Sequence, residues 1–366
     1  MENKTNIFAL TKQDTAVLKG IAIIAMLMHH LWGCPPIGVE PYTGVLGFLG
    51  SVGKVCVAMF LFCSGYGLSV GYGRLIEDGR LNGQSPNEDW KIGLKDTLKF
   101  LARRFVKFYA GYWPIFLIFV PISIWGFERS LADAYGTDEN VYKCLAFDVL
   151  GIGGFHSYNI TWWFNALIIG LYLLFPFIYF MGNKMPWLLL ILSLVIVRLG
   201  GRSWSGMIPV FMLYQMPFVL GVLWKRWEYI GEKFKGNDWL LATGCVLVLV
   251  VATLCRELEI IPHWSGARMD GLIAISIAGM VIACRKLNIM NIALAYCGKY
   301  SMNVYLMHTF FIGYWCRDWF CECEVGGGIM IVAILILCLG ISIIIEWMKK
   351  KLLWNKLLDK ICQKLN

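Results

Sequence analysis

Residues 18–33 read LKGIAIIAMLMHHLWG, and this run decides what kind of molecule the chain forms. Within 14–34 it supplies an apolar stretch of about 20 residues, the length that crosses a bilayer core of about 30 Å. Similar runs, bounded by charge, recur near 53–72, 105–126, 160–182, 186–200, 207–224, 238–255, 269–284, 300–320 and 327–347. The pattern predicts an all-α polytopic membrane bundle of about ten transmembrane helices. Composition agrees: 58% of the 366 residues are hydrophobic and 16% charged, against about 25% charged in an average soluble domain. Little chain is left for a separate soluble domain, so residues 1–366 read as one integral-membrane domain embedded over about 14–347.

An even number of spans puts both termini on one side. If that side is the cytoplasm, eight of the 33 Lys and Arg lie outside: Lys54, Arg129, Lys143, Arg198, Arg202, Arg256, Arg268 and Arg317. The remainder lie inside, so positive charge favours cytoplasmic termini in a cell membrane. The net charge of +9 follows this bias and does not point to a nucleic-acid partner. MENKTNIFALTKQDT at 1–15 is polar, with no small-residue cleavage site behind the run that follows, so the first span is expected to be retained. The 13 Cys fall mostly in apolar runs, as Cys56, Cys63, Cys245 and Cys338 do, without metal-ligand spacing. They read as small hydrophobes, and no metal is expected.

Between spans, the inner segment Gly73 to Arg104 is polar and leads to KFLARRFVK at 99–107, while the outer segment Phe127 to Asn159 carries Glu128, Asp133, Asp138 and Glu139. Residues 91–107 predict an amphipathic helix leading into the third span. CLAFDVLGIGGFHSY at 144–158 predicts a short membrane-dipping segment. Residues 348–366 form a basic amphipathic cytoplasmic tail, in which KKKLLWNKLLDKICQKLN reads as an interfacial helix on anionic lipid.

Polar groups inside spans cost about 2.5 kcal/mol or more at a helix centre, so they mark functional positions. Lys19 and His30 are 11 residues apart, about 20° of net rotation and roughly 16 Å of rise on an α-helix, so they share a face. Two readings stand. Lys19 snorkels and both His29 and His30 are hydrogen-bonded spacers at the outer interface; or Lys19 meets an anionic group from the cytoplasm and His30 moves a proton near neutral pH.

Other polar positions divide in the same way. LFCSGYGLSVGYG at 61–73 places Ser64, Gly65 and Gly67 where helices pack closely. Arg103, Arg104 and Lys107 form a basic cluster before the third span, read either as anchoring or as a phosphate site. Trp162, Trp163 and Asn165 open the fourth span at an aromatic belt. In KYSMNVYLMHTFF at 299–311, Ser301, Tyr305 and His308 stand at i, i+4 and i+7 on one face, the pattern of an inter-helix hydrogen-bond network. Arg198 and Arg202 form an i, i+4 pair that could meet an anionic acceptor but reads first as snorkelling, and His156 and His263 read as solvated loop residues.

Taken together, these segments resemble the acyltransferase 3 family of integral-membrane acyltransferases. LKGIAIIAMLMHH is similar to its first helix, VAMFLFCSGYGLS to its second, RRFVKFYAGYWP to its basic approach to the third, WWFNALIIGLYLLFP to its Trp-Phe segment, MPFVLGVLW to its Pro-and-Gly segment and YSMNVYLMH to its late Ser-Tyr-His segment. The resemblance covers nearly the whole chain. It implies about ten helices and transfer of acyl groups from acyl-CoA to carbohydrate hydroxyls. It also implies that the basic residue eleven positions before the catalytic histidine is Lys19, and that the histidine is His30 and not His29.

Two features depart from the pattern. Lys19 replaces the family's usual Arg and lacks its planar fork, and the paired Arg before the third helix becomes Arg104 and Lys107, with Arg103 adjacent. No esterase-like domain follows the last span, so a relayed acyl group would need a separate accepting protein.

The expected activity is membrane O-acyl transfer, by default O-acetyl transfer, from cytoplasmic acyl-CoA to an extracytoplasmic glycan. Acetyl-CoA or another acyl-CoA is the donor substrate, and no permanently bound cofactor is expected. Lys19, Arg103, Arg104 and Lys107 would hold donor phosphates. His30 would act as general base or carry the acyl group, and the sequence leaves both open. Ser64, Trp163, Asn165, Ser301, Tyr305 and His308 would form the supporting polar network. The rival reading is a transporter or flippase for a glycan or lipid-linked intermediate. It is disfavoured by the absence of clear symmetry between halves. The acceptor and the oligomeric state are not encoded in these spans.

Overall fold

The computed structural model describes residues 8–35, 40–81, 93–137, 139–200, 206–228, 238–258, 260, 266–285, 287–316, 319 and 327–365. Among them every regular element is helical. In chain order these are α1 (Lys12–Met28), α2 (Gly44–Gly53), α3 (Cys56–Leu81), α4 (Leu94–Gly126), α5 (Leu131–Tyr135), α6 (Val141–Val149), α7 (Trp163–Lys184), α8 (Pro186–Leu199), α9 (Met207–Trp227), α10 (Asp238–Leu258), α11 (Asp270–Ala283), α12 (Asn288–Lys299), α13 (Ser301–Thr309), α14 (Gly327–Lys351) and α15 (Trp354–Lys364). Turns of π-helix follow α1 at His29–Gly33 and α13 at Phe310–Trp315.

Seven described helices are long and apolar enough to cross a membrane: Lys12–Gly33, Gly44–Glu77, Leu94–Gly126, Ile160–Lys184, Met207–Trp227, Trp239–Leu258 and Gly327–Lys351. Pro186–Leu199 and Asp270–Ala283 are shorter apolar helices. The described residues are all-helical, and the chain is a multi-pass membrane protein. Arg202, His263, Arg317 and Asp138 lie outside the described residues, as do 82–92 of the inner segment.

The chain divides into two compact units that interleave in sequence. The first comprises Met1–Ala22, Val55–Thr97 and Leu173–Lys299; the second comprises Ile23–Lys54, Leu98–Tyr172 and Tyr300–Asn366. In the first, α3 packs along α9 at backbone distance: a Cβ on Gly65 would fall 2.2 Å from the Phe218 carbonyl oxygen, and one on Gly221 2.2 Å from that of Phe62. Small residues permit this approach where no water drives association. The outer-assigned Arg256 is buried there, paired with Asp270 at 2.8 Å and with Glu257. Burial alone would expel such a charge, and the two carboxylates compensate it.

The stretch at 91–107 leads into the third span as expected: its described part from Leu94 is the beginning of α4, which runs unbroken for 33 residues. At 1.5 Å per residue that is about 50 Å, longer than the hydrocarbon core. The stretch at 144–158 contains the end of α6 and a 3₁₀ turn at Gly154–His156. Phe147, Val149, Leu150, Ile152 and Phe155 are exposed along it. The tail helix α15 leaves Leu357 and Ile361 exposed, and the Trp354 indole N–H donates to the Ala110 carbonyl at 3.1 Å.

Candidate active site

The first helix does not remain α-helical to its end. It widens into π-helix at His29, so the phase that puts Lys19 and His30 on one face applies through Met28 only. Turns of this type are frequent at functional positions. The widened turn is held by close packing on α2, where a Cβ on Gly50 would lie 2.4 Å from the Gly33 nitrogen. His29 Nδ1 lies 3.0 Å from the Gly50 carbonyl oxygen. A carbonyl only accepts, so this nitrogen carries the proton.

The half-buried ring of His30 sits beside those of two other histidines, with centroids 5.1 Å from His29 and 5.0 Å from His308. His308 is fully buried on α13. Its Nδ1 faces the carbonyls of Tyr305 at 2.8 Å and Val304 at 3.2 Å, so Nδ1 is the donor. In the neutral ring Nε2 is then an acceptor, and the Thr309 hydroxyl lies 3.2 Å from it.

From Thr309 a chain of polar groups continues to the segment before α7. Thr309 Oγ1 is 3.1 Å from Thr161 Oγ1, and Thr161 donates to Asn159 Oδ1 at 2.7 Å. The Thr161 hydrogen being committed, the single hydrogen on Thr309 serves either the Thr161 oxygen or His308 Nε2. When it turns to Thr161, the Nε2 lone pair is released towards its surroundings. The same segment clamps α13: Asn159 Nδ2 and the Trp162 indole donate to the Leu306 carbonyl at 3.3 and 3.0 Å, and the Tyr305 hydroxyl donates to the Thr161 carbonyl at 2.8 Å.

The residues singled out in the sequence are distributed over both units. His30, His308, Tyr305, Asn165, Trp163, Ser301, Arg103, Arg104 and Lys107 lie in the second; Lys19 and Ser64 lie in the first. Asn165 is buried with Oδ1 3.4 Å from the Tyr305 hydroxyl, and its Nδ2 has no hydrogen-bond partner among the described residues. Trp163 packs near Phe155 and Phe164, with centroids 6.0 and 6.2 Å away. The neighbouring Trp162 holds α13. Ser301 is buried in the first turn of α13. Arg103 and Arg104 are half-buried and Lys107 exposed on the early turns of α4, and Arg104 Nε is enclosed without a partner among the described residues. Lys19 is half-buried on α1.

A polar cap in the outer-assigned segment supports the second unit. Asp148 accepts from the Tyr135 hydroxyl at 2.8 Å and from the Tyr158 backbone N–H, and its carbonyl accepts from the Tyr112 hydroxyl at 2.7 Å. Burial pushes the Asp148 carboxyl above the usual carboxylate range, against those hydrogen bonds. The Arg129 guanidinium lies 3.7 Å over the ring of Tyr314 and 4.4 Å over that of Tyr158. The second π-helical turn is fixed by Trp315, stacked between Phe119 at 5.2 Å and Phe127 at 4.6 Å. Among the described residues no group of three or more His, Cys, Asp or Glu is placed to hold a metal ion.

Residues 16–347 match the family model described as an acyltransferase domain. The chain belongs to the acyltransferase 3 family. No curated protein and no solved structure matches it. For a membrane acyltransferase the arrangement offers an imidazole beside a second, tautomer-fixed imidazole, with a hydroxyl relay behind. Asn159, Thr161, Trp162 and Thr309 complete that arrangement and were not among the site residues expected from sequence. The i, i+1 adjacency of Thr309 to His308 and the place of Trp162 in the aromatic belt were the available signals, and a hydroxyl in an apolar run is too common to stand out.

Proposed function

We propose that this acyltransferase moves an acyl group, acetyl by default, from cytoplasmic acyl-CoA to a hydroxyl of an extracytoplasmic glycan, through a bundle of about ten crossings with both termini in the cytoplasm. The observation that carries the reading is the placement of His30 against His308 on a π-helical turn. In a membrane such a cluster is costly unless used. The Lys and Arg distribution supports the orientation.

In this reading His30 takes the proton of the acceptor hydroxyl while its oxygen attacks the thioester carbonyl. The carbon–sulfur bond breaks, and the imidazolium returns the proton to the departing thiolate, leaving the acyl ester and free CoA. The Thr309 hydroxyl, donating to His308 Nε2, holds the His308 ring in place beside His30. The alternative route, in which His30 first bonds the acyl group, uses the same residues and differs in kinetics: a burst of CoA release without acceptor marks the covalent route. Lys19, Arg103, Arg104 and Lys107 supply charge for the donor's phosphates. Trp163, Ser64, Asn165, Ser301 and Tyr305 line or brace the polar interior.

The test supplies labelled acetyl-CoA to inverted vesicles containing the chain and follows label into surface polysaccharide. Label that depends on the chain is expected. Acceptor that crosses the membrane unmodified would favour the flippase reading instead.

A further inference from the structure

The first unit contains a cavity of about 330 Å³ that no role above absorbs. Its walls come from α3 (Tyr72, Glu77), α7 (Tyr179, Phe180, Lys184) and the end of α9 (Arg226). The aromatic wall is built: Tyr72 is buried with its hydroxyl 2.7 Å from Thr97 Oγ1, and the ring of Tyr179 stands against it edge to face at 4.9 Å and 75°. The cations come from the last turns of their helices, where unpaired carbonyls leave partial negative charge. Arg226 Nη1 donates to the Asn183 carbonyl at 2.8 Å, which fixes the guanidinium at the rim. Glu77, Lys184 and Arg226 are all exposed there. In the orientation argued above this end of α3, α7 and α9 is cytoplasmic.

The contents specify a ligand chemistry. Aromatic faces and edges accept a planar base, a carboxylate accepts from an exocyclic amine or ribose hydroxyl, and two cations take a phosphate. The volume lies at the low end of small-molecule sites, enough for a nucleoside phosphate and too small for a whole coenzyme. A lipid phosphate would use the cations and leave the aromatic wall and carboxylate without purpose. We infer that this cavity binds the adenosine 3′-phosphate end of the acyl-CoA donor, an inference that rests on the donor assignment under Proposed function.

The test uses the full chain in phosphatidylcholine nanodiscs, with CoA and adenosine 3′,5′-bisphosphate as probes. On the unaltered protein, an amine-reactive label read by mass spectrometry reports access to Lys184 and, as a control, Lys350. Both probes are expected to slow labelling of Lys184 about fivefold and leave Lys350 unchanged, and the double variant K184A/R226A is expected to weaken CoA binding about tenfold, the scale of one to two lost charged hydrogen bonds. If CoA binds but Lys184 is not protected, the cavity assignment is overturned and the donor reading survives. If the protein binds no CoA, both fall. Protection by phosphatidylglycerol but by neither probe makes the cavity a lipid site and also overturns the inference.

Discussion

α3 and α9 in the first unit meet as two backbones, whereas α13 and residues 159–162 in the second meet as hydroxyls, amides and rings. At Gly65 and Gly221 the helices touch through carbonyl oxygens that a single added methyl would strike. At Thr161, Thr309 and His308 the contact is a row of exchangeable hydrogens. The first kind of contact tolerates no added bulk and performs no chemistry. The second tolerates isosteres structurally while losing proton traffic, so substitutions at the two places should fail in different ways.

The largest effect should come from Gly65→Val, which drives a branched side chain into the Phe218 carbonyl. Folded protein recovered from membranes, measured by size-exclusion of a fluorescent fusion, should vanish; normal recovery would show that α3 and α9 are not in this contact. Thr309→Val keeps the shape of the side chain and removes the hydrogen. Recovery should stay at the unaltered level while transfer slows about tenfold, short of the 10²–10⁴ associated with a whole general base. If recovery falls and the rate per folded molecule does not, the hydroxyl chain is structural like the glycine contact. Lys19→Ala should raise the acyl-CoA concentration needed for half-maximal rate about tenfold by losing a charged contact to phosphate. An unchanged concentration dependence removes Lys19 from donor binding. His29→Ala should cost least, a few-fold in rate, because its Nδ1 is already engaged by the Gly50 carbonyl; a loss equal to that of His30 would mean the two rings share the chemistry.

Sequence carried the helices better than the contacts. The apolar runs at 14–34, 186–200, 207–224 and 269–284 each match a described helix within a few residues, since length and hydropathy are local properties. The helix leading into the third span was legible from the amphipathic pattern of 91–107, and α4 begins within it at Leu94 and runs on through Pro114 and Pro121. The π-helical turns were invisible: the one at His29 depends on Gly33 meeting Gly50, a partner 17 residues away in another helix. The site was half legible. Ionisable groups in apolar runs drew attention to His30 and His308, while Trp162, legible only as a belt residue, grips α13 through its indole. The division into two interleaved units has no signature in composition, since both units share the same apolar chemistry.

The most direct measurement is the rate of acetyl transfer by His30→Ala in membranes where its folded amount and its CoA binding equal those of the unaltered chain. The account requires transfer to fall by about 10²–10⁴, the contribution of a positioned imidazole. Full transfer by that variant would contradict it.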